Sequence, residues 1–90
     1  MPVVNKFTVI TKEPCPWCYK AKALLKEHNL QYNEVSIPYS MSREEFIVLA
    51  DKHKTTKTVP KIFLRGNLIG GYEDLAEWID NHGGHGEGSL

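Results

Sequence analysis

Hydrophobic and polar positions divide this 90-residue chain into segments typical first of a strand and then of a helix. Residues 6–11 are rich in β-branched and aromatic side chains, and their near-continuous apolar character predicts a strand covered on both faces. In residues 19–29 the apolar positions recur at helical spacing, which predicts a helix with one buried stripe. That stripe comprises Ala21, Leu24, Leu25 and His28.

A second strand and a second helix follow. Residues 32–37 alternate imperfectly between apolar and polar side chains, which favours a strand over a helix. A strand, a helix and a strand within about thirty residues form a βαβ unit, so we expect parallel strands and a right-handed crossover. Ser42 and Glu45 have the spacing of a capping box that opens the second helix. Its apolar side is predicted to comprise Phe46, Val48, Leu49 and Ala50.

The last third of the chain predicts a hairpin and a third helix. Residues 61–64 and 68–70 have the character of short strands, and residues 65–67 between them have the composition of a hairpin turn. Acidic residues open the final helix, and Gly83 is predicted to end it. Its apolar face comprises Leu75, Trp78 and Ile79. The predicted order is βαβαββα, an α/β fold in one domain over residues 1–82, followed by a glycine-rich tail, 83–90, that we expect to be flexible.

Charge and composition exclude several classes of function. Eleven basic and eleven acidic side chains balance, so no strong field recruits nucleic acid or an anionic membrane. No apolar run is long enough to span a bilayer, and the N-terminus lacks the pattern of a secretory signal. We therefore expect a cytoplasmic, reducing environment, in which a closely spaced cysteine pair does redox or metal chemistry more often than structural cross-linking.

The only two cysteines, Cys15 and Cys18, lie where the first strand turns into the first helix. Their spacing puts the two sulfurs within reach of one disulfide, and Pro16 suits the first helical position. The unpaired N–H groups and the dipole of a helix N-terminus favour a thiolate, and Lys12 adds a nearby cation. Cys15 is therefore the predicted nucleophile.

Cys18 lies one turn deeper in the predicted helix. We expect Trp17 and Tyr19 to shield it, which suits a resolving thiol that closes the disulfide and releases a bound partner.

Three motifs together resemble those of the glutaredoxins, a family with the thioredoxin fold. They are Cys15-Pro16-Trp17-Cys18, Thr58-Val59-Pro60 before a strand, and Gly70-Gly71-Tyr72-Glu73-Asp74 before the last helix. The resemblance covers about residues 6–82. It implies a four-stranded mixed sheet flanked by helices. It also implies a glutathione-dependent enzyme, with glutathione as co-substrate and no metal, that reduces protein disulfides and protein–glutathione mixed disulfides. Nothing in the sequence indicates a stable oligomer, so we expect a monomer.

The resemblance also implies the roles of individual residues. Lys12 corresponds to the basic residue that attracts the thiolate and the glycine carboxylate of glutathione. The loop at Thr58 and Val59 corresponds to the segment that pairs through the Val59 backbone with the cysteinyl part of glutathione, as an added strand pairs with a sheet edge. Pro60 is expected to follow a cis peptide bond. Trp17 replaces the tyrosine usual in this motif and keeps an aromatic wall.

The start of the last helix corresponds to the site for the γ-glutamyl end of glutathione. Gly70 and Gly71 would let the backbone approach the ligand closely. The N–H groups near Tyr72 and Glu73 would hold the γ-glutamyl carboxylate, as helix N-termini hold anions. Either Glu73 or Asp74 would receive the ammonium group. Tyr72 stands where many members carry Cys or Ser. Arg43 on the second helix is a candidate for a further contact with the glycine carboxylate.

Basic residues of the segment 52–61 are expected to form a solvated rim that attracts anionic glutathione or acidic partners. No aromatic stacking platform accompanies them, which argues against nucleic acid. They are Lys52, His53, Lys54, Lys57 and Lys61.

Three other functions remain open from the sequence. One is an electron donor to ribonucleotide reductase that is itself reduced by thioredoxin reductase. Another is a carrier of a [2Fe–2S] cluster between two protomers, with Cys15 and glutathione as ligands, against which the stiffening Pro16 argues. The third is a zinc site completed by His82 and His85, although these histidines lie far from the cysteines along the chain.

Overall fold

The computed structural model describes residues 6–82 and contains four strands and three helices in the predicted order. They are β1 (Lys6–Lys12), α1 (Pro16–Glu27), β2 (Gln31–Ile37), α2 (Arg43–Lys52), β3 (Lys61–Leu64), β4 (Asn67–Gly70) and α3 (Tyr72–Asn81). The predicted helix end at Gly83 and the predicted flexible tail 83–90 lie outside the described residues. So do residues 1–5 of the predicted domain.

The four strands form one mixed sheet in the order β2-β1-β3-β4. β1 pairs parallel with β2 and antiparallel with β3, which in turn pairs antiparallel with β4. Phe7, Val9 and Ile10 of the central strand β1 are almost completely buried. The prediction of a first strand covered on both faces is therefore confirmed.

Two hydrophobic clusters cover the two faces of the sheet. The first packs α1 and α3 against one face and contains Phe7, Val9, Ala21, Leu25, Ile62, Leu75 and Ile79. The second packs α2 against the other face and contains Ile10, Ile37, Phe46 and Phe63. Alternate residues of the shared strands enter opposite clusters because successive side chains of a strand point to opposite faces.

The predicted apolar faces of the helices are partly wrong. On α2, Phe46 and Ala50 are buried but Val48 is 66% exposed. Val48 lies two residues from each of them, about 200° around the helix, and therefore points away from the sheet. On α1 the buried residues are Cys18, Ala21 and Leu25.

Local signals in the sequence set where helices begin and chains turn. The capping box of α2 is confirmed: Ser42 N–H donates to Glu45 Oε1 at 2.9 Å, and Glu45 N–H donates to Ser42 Oγ at 3.0 Å. The predicted hairpin turn has Arg65 and Gly66 at φ 53° and 85°, the left-handed conformation that two-residue hairpin loops need. Within residues 6–82, no helix is long and apolar enough to cross a membrane.

Candidate active site

The two cysteines lie at the N-terminus of α1, as predicted, and are joined by a disulfide with their Cα atoms 5.2 Å apart. Cys15 is the N-cap residue in an extended conformation, and Pro16 occupies the first turn. The N–H of Cys18 donates to Cys15 Sγ at 3.1 Å. A sulfur held at the N-cap with a helix N–H directed at it suits a group that must carry negative charge when reduced.

The two sulfurs differ in their access to solvent. Cys15 is 7% exposed and Cys18 is 2% exposed. Cys18 is buried because it shares the inward face of α1 with Ala21 and Leu25. The aromatic neighbours expected to shield it, Trp17 and Tyr19, are both about half exposed. Burial of the second sulfur thus results mainly from helix packing against the sheet.

An aromatic wall stands beside the cysteines and links two helix N-termini. The rings of Trp17 on α1 and Tyr72 on α3 lie 5.4 Å apart between centroids, at an angle of 46°. Lys20 Nζ lies 4.4 Å from the Trp17 ring centroid, within the range of a cation–π contact. The structure thus brings together Trp17 and Tyr72, two of the residues assigned to the site from the sequence.

A groove of about 690 Å³ opens between β1, the start of α2 and the loop before β3. Lys12, Arg43 and Lys57 line it, as do Thr58 and Val59. The groove therefore combines three basic residues and one acidic residue, Glu13, with a loop backbone. That combination suits a small anionic ligand with peptide character.

The groove-lining cations differ in their other contacts. Lys57 Nζ pairs with Asp51 Oδ1 at 2.9 Å, and both side chains are largely exposed, so this ion pair is screened by water. Lys12, the last residue of β1, is exposed. Tyr39 also lines the groove and is 89% exposed, a residue that no pattern in the sequence had marked.

The segments 58–60 and 70–74 lie next to each other. The Val59–Pro60 peptide bond is cis, as expected, and so are those before Pro14 and Pro38. A Cβ on Gly71 would lie 3.7 Å from the carbonyl oxygen of Pro60, so the two backbones run side by side.

The acidic residues at the start of α3 have different roles in the fold. Asp74 Oδ2 accepts the Gly71 N–H at 2.9 Å and so caps its own helix, although Asp74 and Glu73 are both exposed. Gly70 has φ 131°, and a Cβ there would overlap the Asp74 carboxylate. Gly70 is therefore required by the backbone at this point.

Lys61 is the residue of the expected basic rim that the structure places elsewhere. It is 4% exposed, and its Nζ donates to Thr56 Oγ1 and Thr58 Oγ1, each at 3.1 Å. Burial lowers the pKa of Lys61, while the negative charge of Asp74 acts in the opposite direction. The expectation of a solvated lysine is wrong because β3 lies inside the sheet, between β1 and β4.

In the described part of the chain, the histidines do not cluster at one site. His28 is half-buried, and His53, expected to be solvated, packs edge-on against Phe63 with centroids 5.1 Å apart. His82 stacks on Trp78, and His85 lies outside the described residues. Among residues 6–82, no group of three or more His, Cys, Asp or Glu side chains is placed to hold a metal ion.

Comparison with known proteins identifies one family. A family model described as Glutaredoxin matches residues 7–69. Glutaredoxin 3 of Escherichia coli (strain K12) is 37% identical over 76 residues, covering 84% of this chain and 87% of that protein. The solution structure of the dithiolic glutaredoxin 2-C-Grx1 of Trypanosoma brucei brucei has a TM-score of 0.68 at 33% identity, covering 93% of this chain and 92% of that one.

A buckwheat glutaredoxin–glutathione complex has the same fold, with a TM-score of 0.72 at 22% identity. The match covers 87% of this chain and 71% of that chain.

Proposed function

Because the chain belongs to the glutaredoxin family of thiol–disulfide oxidoreductases, we propose that it uses glutathione to reduce protein disulfides and protein–glutathione mixed disulfides. The observation that carries this proposal is the position of the cysteine pair. Cys15 and Cys18 occupy a helix N-terminus, and Lys12, three residues before Cys15, lines the groove together with the 58–59 loop.

In the proposed reaction, Cys15 acts as the nucleophile. Its thiolate attacks one sulfur of a target disulfide, that S–S bond breaks, and the other sulfur leaves as a thiolate. With a glutathionylated target, Cys15 takes the glutathione and a second glutathione restores the thiolate. With a protein disulfide, Cys18 attacks the Cys15 sulfur and releases the reduced target, and two glutathione molecules then reduce the Cys15–Cys18 disulfide.

The groove and the start of α3 offer complementary groups for the two ends of glutathione. We place the glycine carboxylate against Lys12 and Arg43, because both cations line the groove. The cysteinyl part would pair with the Val59 backbone, beside Pro60 and Thr58. Glutathione in the crystal structure of the buckwheat protein supports this class of ligand.

The γ-glutamyl end would lie at the N-terminus of α3. Its carboxylate would accept hydrogen bonds from N–H groups near Tyr72 and Glu73, with Gly71 allowing the close approach. Glu73 is the better partner for the ammonium, since Asp74 already accepts the Gly71 N–H. Trp17 and Tyr72 would form the wall beside the ligand.

A coupled assay with a small glutathione mixed disulfide tests the function. We expect wild type and Cys18→Ser to be active and Cys15→Ser to be inactive. Reduction of a protein disulfide should require both cysteines. A fully reduced wild type without activity in either reaction would contradict the proposal.

Replacing glutathione by thioredoxin reductase in the same assay distinguishes a glutathione-dependent reductase from an electron donor that thioredoxin reductase reduces. A visible spectrum after anaerobic purification tests for an iron–sulfur cluster. Because a glutathione-driven reductase needs a reduced glutathione pool, we propose that the protein acts in the cytoplasm. We also propose that it acts as a monomer.

A further inference from the structure

Within residues 6–82, Lys61 is the only buried charged side chain. It opens β3, where its backbone pairs with Ile10 of the central strand. Its ammonium donates to the hydroxyls of Thr56 and Thr58, and those two oxygens lie 3.0 Å apart. The three groups therefore form a closed hydrogen-bonded ring.

This ring lies in a stretch between two regions of regular backbone hydrogen bonding. The cap of α2 ends with the Thr55 N–H, which donates to the Ala50 carbonyl at 3.0 Å. Sheet pairing resumes at Lys61. Residues 56–60 connect these regions, and the ring ties both ends of that connection together. Thr58 is thereby attached to the rigid sheet through the Lys61 side chain.

A buried ammonium costs free energy unless charge-assisted hydrogen bonds offset its desolvation. An apolar side chain of similar length would fill the same position without that cost. A lysine here therefore indicates a need for its two hydrogen bonds, and both of them go to the loop that lines the groove. The carboxylate of Asp74 adds a favourable charge.

We propose that Lys61 is a positioning residue: through Thr56 and Thr58 it fixes the Thr58-Val59 backbone in the orientation that pairs with the cysteinyl part of glutathione. This inference rests on the proposed function. It concerns a residue that lines neither the groove nor the aromatic wall. It therefore predicts an effect on recognition of glutathione and no effect on the intrinsic reactivity of the disulfide.

The test measures how fast two thiols reduce the oxidised protein. In both reactions a thiolate attacks Cys15 Sγ, the bond to Cys18 breaks, and the electron pair leaves on the Cys18 sulfur. A second thiolate then attacks the mixed disulfide and frees Cys15. Glutathione presents carboxylates and a peptide to the site, whereas 2-mercaptoethanol presents neither. Rate constants are compared per thiolate at one pH.

Lys61→Met removes both donors and keeps a long apolar chain. We expect it to lower the rate constant for glutathione about tenfold and to change that for 2-mercaptoethanol less than about twofold. Thr56→Val removes one acceptor but keeps the charge, and should lower the glutathione rate about threefold. Lys26→Met, at an exposed lysine on α1 outside the proposed site, is the matched control and should change neither rate.

Three results would overturn the inference. An equal fall for both thiols in Lys61→Met would mean general damage to the site, and no fall would mean no role. A loss in Lys61→Met with none in Thr56→Val would show a bare charge effect without positioning. Failure of the proposed function itself has another signature: wild type would then show no preference for glutathione over 2-mercaptoethanol.

Discussion

The N–H of Cys18 points at the sulfur of Cys15, 3.1 Å away, while the Cys15 carbonyl accepts the N–H groups of Cys18 and Tyr19 at 3.0 and 3.3 Å. Cys15 therefore caps α1 with its side chain and its backbone together. A thiolate at this position gains more from the helix N–H groups than a neutral thiol does, since hydrogen bonds to charged acceptors are stronger. The cap thus favours the thiolate form of Cys15, the proposed nucleophile.

Reduced Cys15 should react with iodoacetamide at mildly acid pH. We expect Cys18→Ser to be alkylated at pH about 6.5 more than tenfold faster than free cysteine, whose thiol titrates at about 8.5. Cys15→Ser, which leaves only the buried Cys18, is the control and should react slowly. An alkylation rate for Cys15 that rises only above pH about 8 would contradict the stabilising role of the helix cap.

Trp17 should report the redox state of the cysteines by fluorescence, because it lies between them in the chain and packs against Tyr72. We expect the emission change on reduction to persist in Trp78→Phe and to disappear in Trp17→Phe. Trp78 stacks on His82 at 4.1 Å between centroids, at the opposite end of α3. A redox signal that followed Trp78 would mean that the disulfide acts on more distant structure.

Charge removal in the groove should weaken the use of glutathione. We expect Lys12→Gln and Arg43→Gln each to raise the KM for glutathione about three- to tenfold, since each would remove one contact to a carboxylate. Added salt should reduce the difference from wild type. Lys26→Gln, on the exposed face of α1, is the matched control and should keep the wild-type KM. Equal changes in all three variants would indicate a general field and no defined site.

Two glycines with positive φ should differ in their cost on substitution. At Gly66 a Cβ would meet nothing within 4 Å. Gly66→Ala should therefore lower the free energy of unfolding by only about 1 kcal/mol, the strain of a non-glycine residue at φ 85°. Gly70→Ala would also displace the Asp74 carboxylate from the Gly71 N–H. We expect a loss of about 2–4 kcal/mol there, measured by urea unfolding. Equal losses would show that the Asp74 cap contributes little.

Glu34 should link stability to pH on the acid side. The hydrogen bond that Thr11 Oγ1 donates at 2.7 Å, with the nearby Lys22 ammonium, lowers the pKa of Glu34 below its ordinary value of 4.5. A carboxyl with a lowered pKa in the folded state adds stability above its unfolded pKa and loses it as pH falls through the folded value. The affected window therefore lies below pH 4.5.

We expect Glu34→Gln to be less stable than wild type at pH about 7, by roughly 1 kcal/mol, because the site is partly exposed and the ion pair is screened. The difference should shrink as the solution is acidified below pH 4.5. Urea unfolding at several pH values measures it, and Glu77→Gln on the exposed side of α3 is the control. A difference that stays constant with pH would assign the loss to packing and not to charge.

Much of the fold followed from local chemistry. The capping pair Ser42 and Glu45, the proline at the start of α1 and the glycine of the hairpin turn each act within a few residues, so their effect is visible in the sequence. The same holds for the cysteine pair, since one helical turn separates Cys15 from Cys18. The position of this site at a strand-to-helix turn was therefore predictable from periodicity and capping.

Local patterns along the chain were enough to predict the order of the elements, the covered central strand and the place of the cysteine pair at the start of α1. Only the tertiary structure decided which lysine is buried and which valine is exposed. Lys61 and Val48 have ordinary local surroundings, and their burial depends on what packs against β3 and α2. The groove likewise depends on three segments distant in sequence, those around Lys12, Arg43 and Val59. Contacts between distant segments follow from how the sheet and helices pack, which hydrophobic periodicity does not encode.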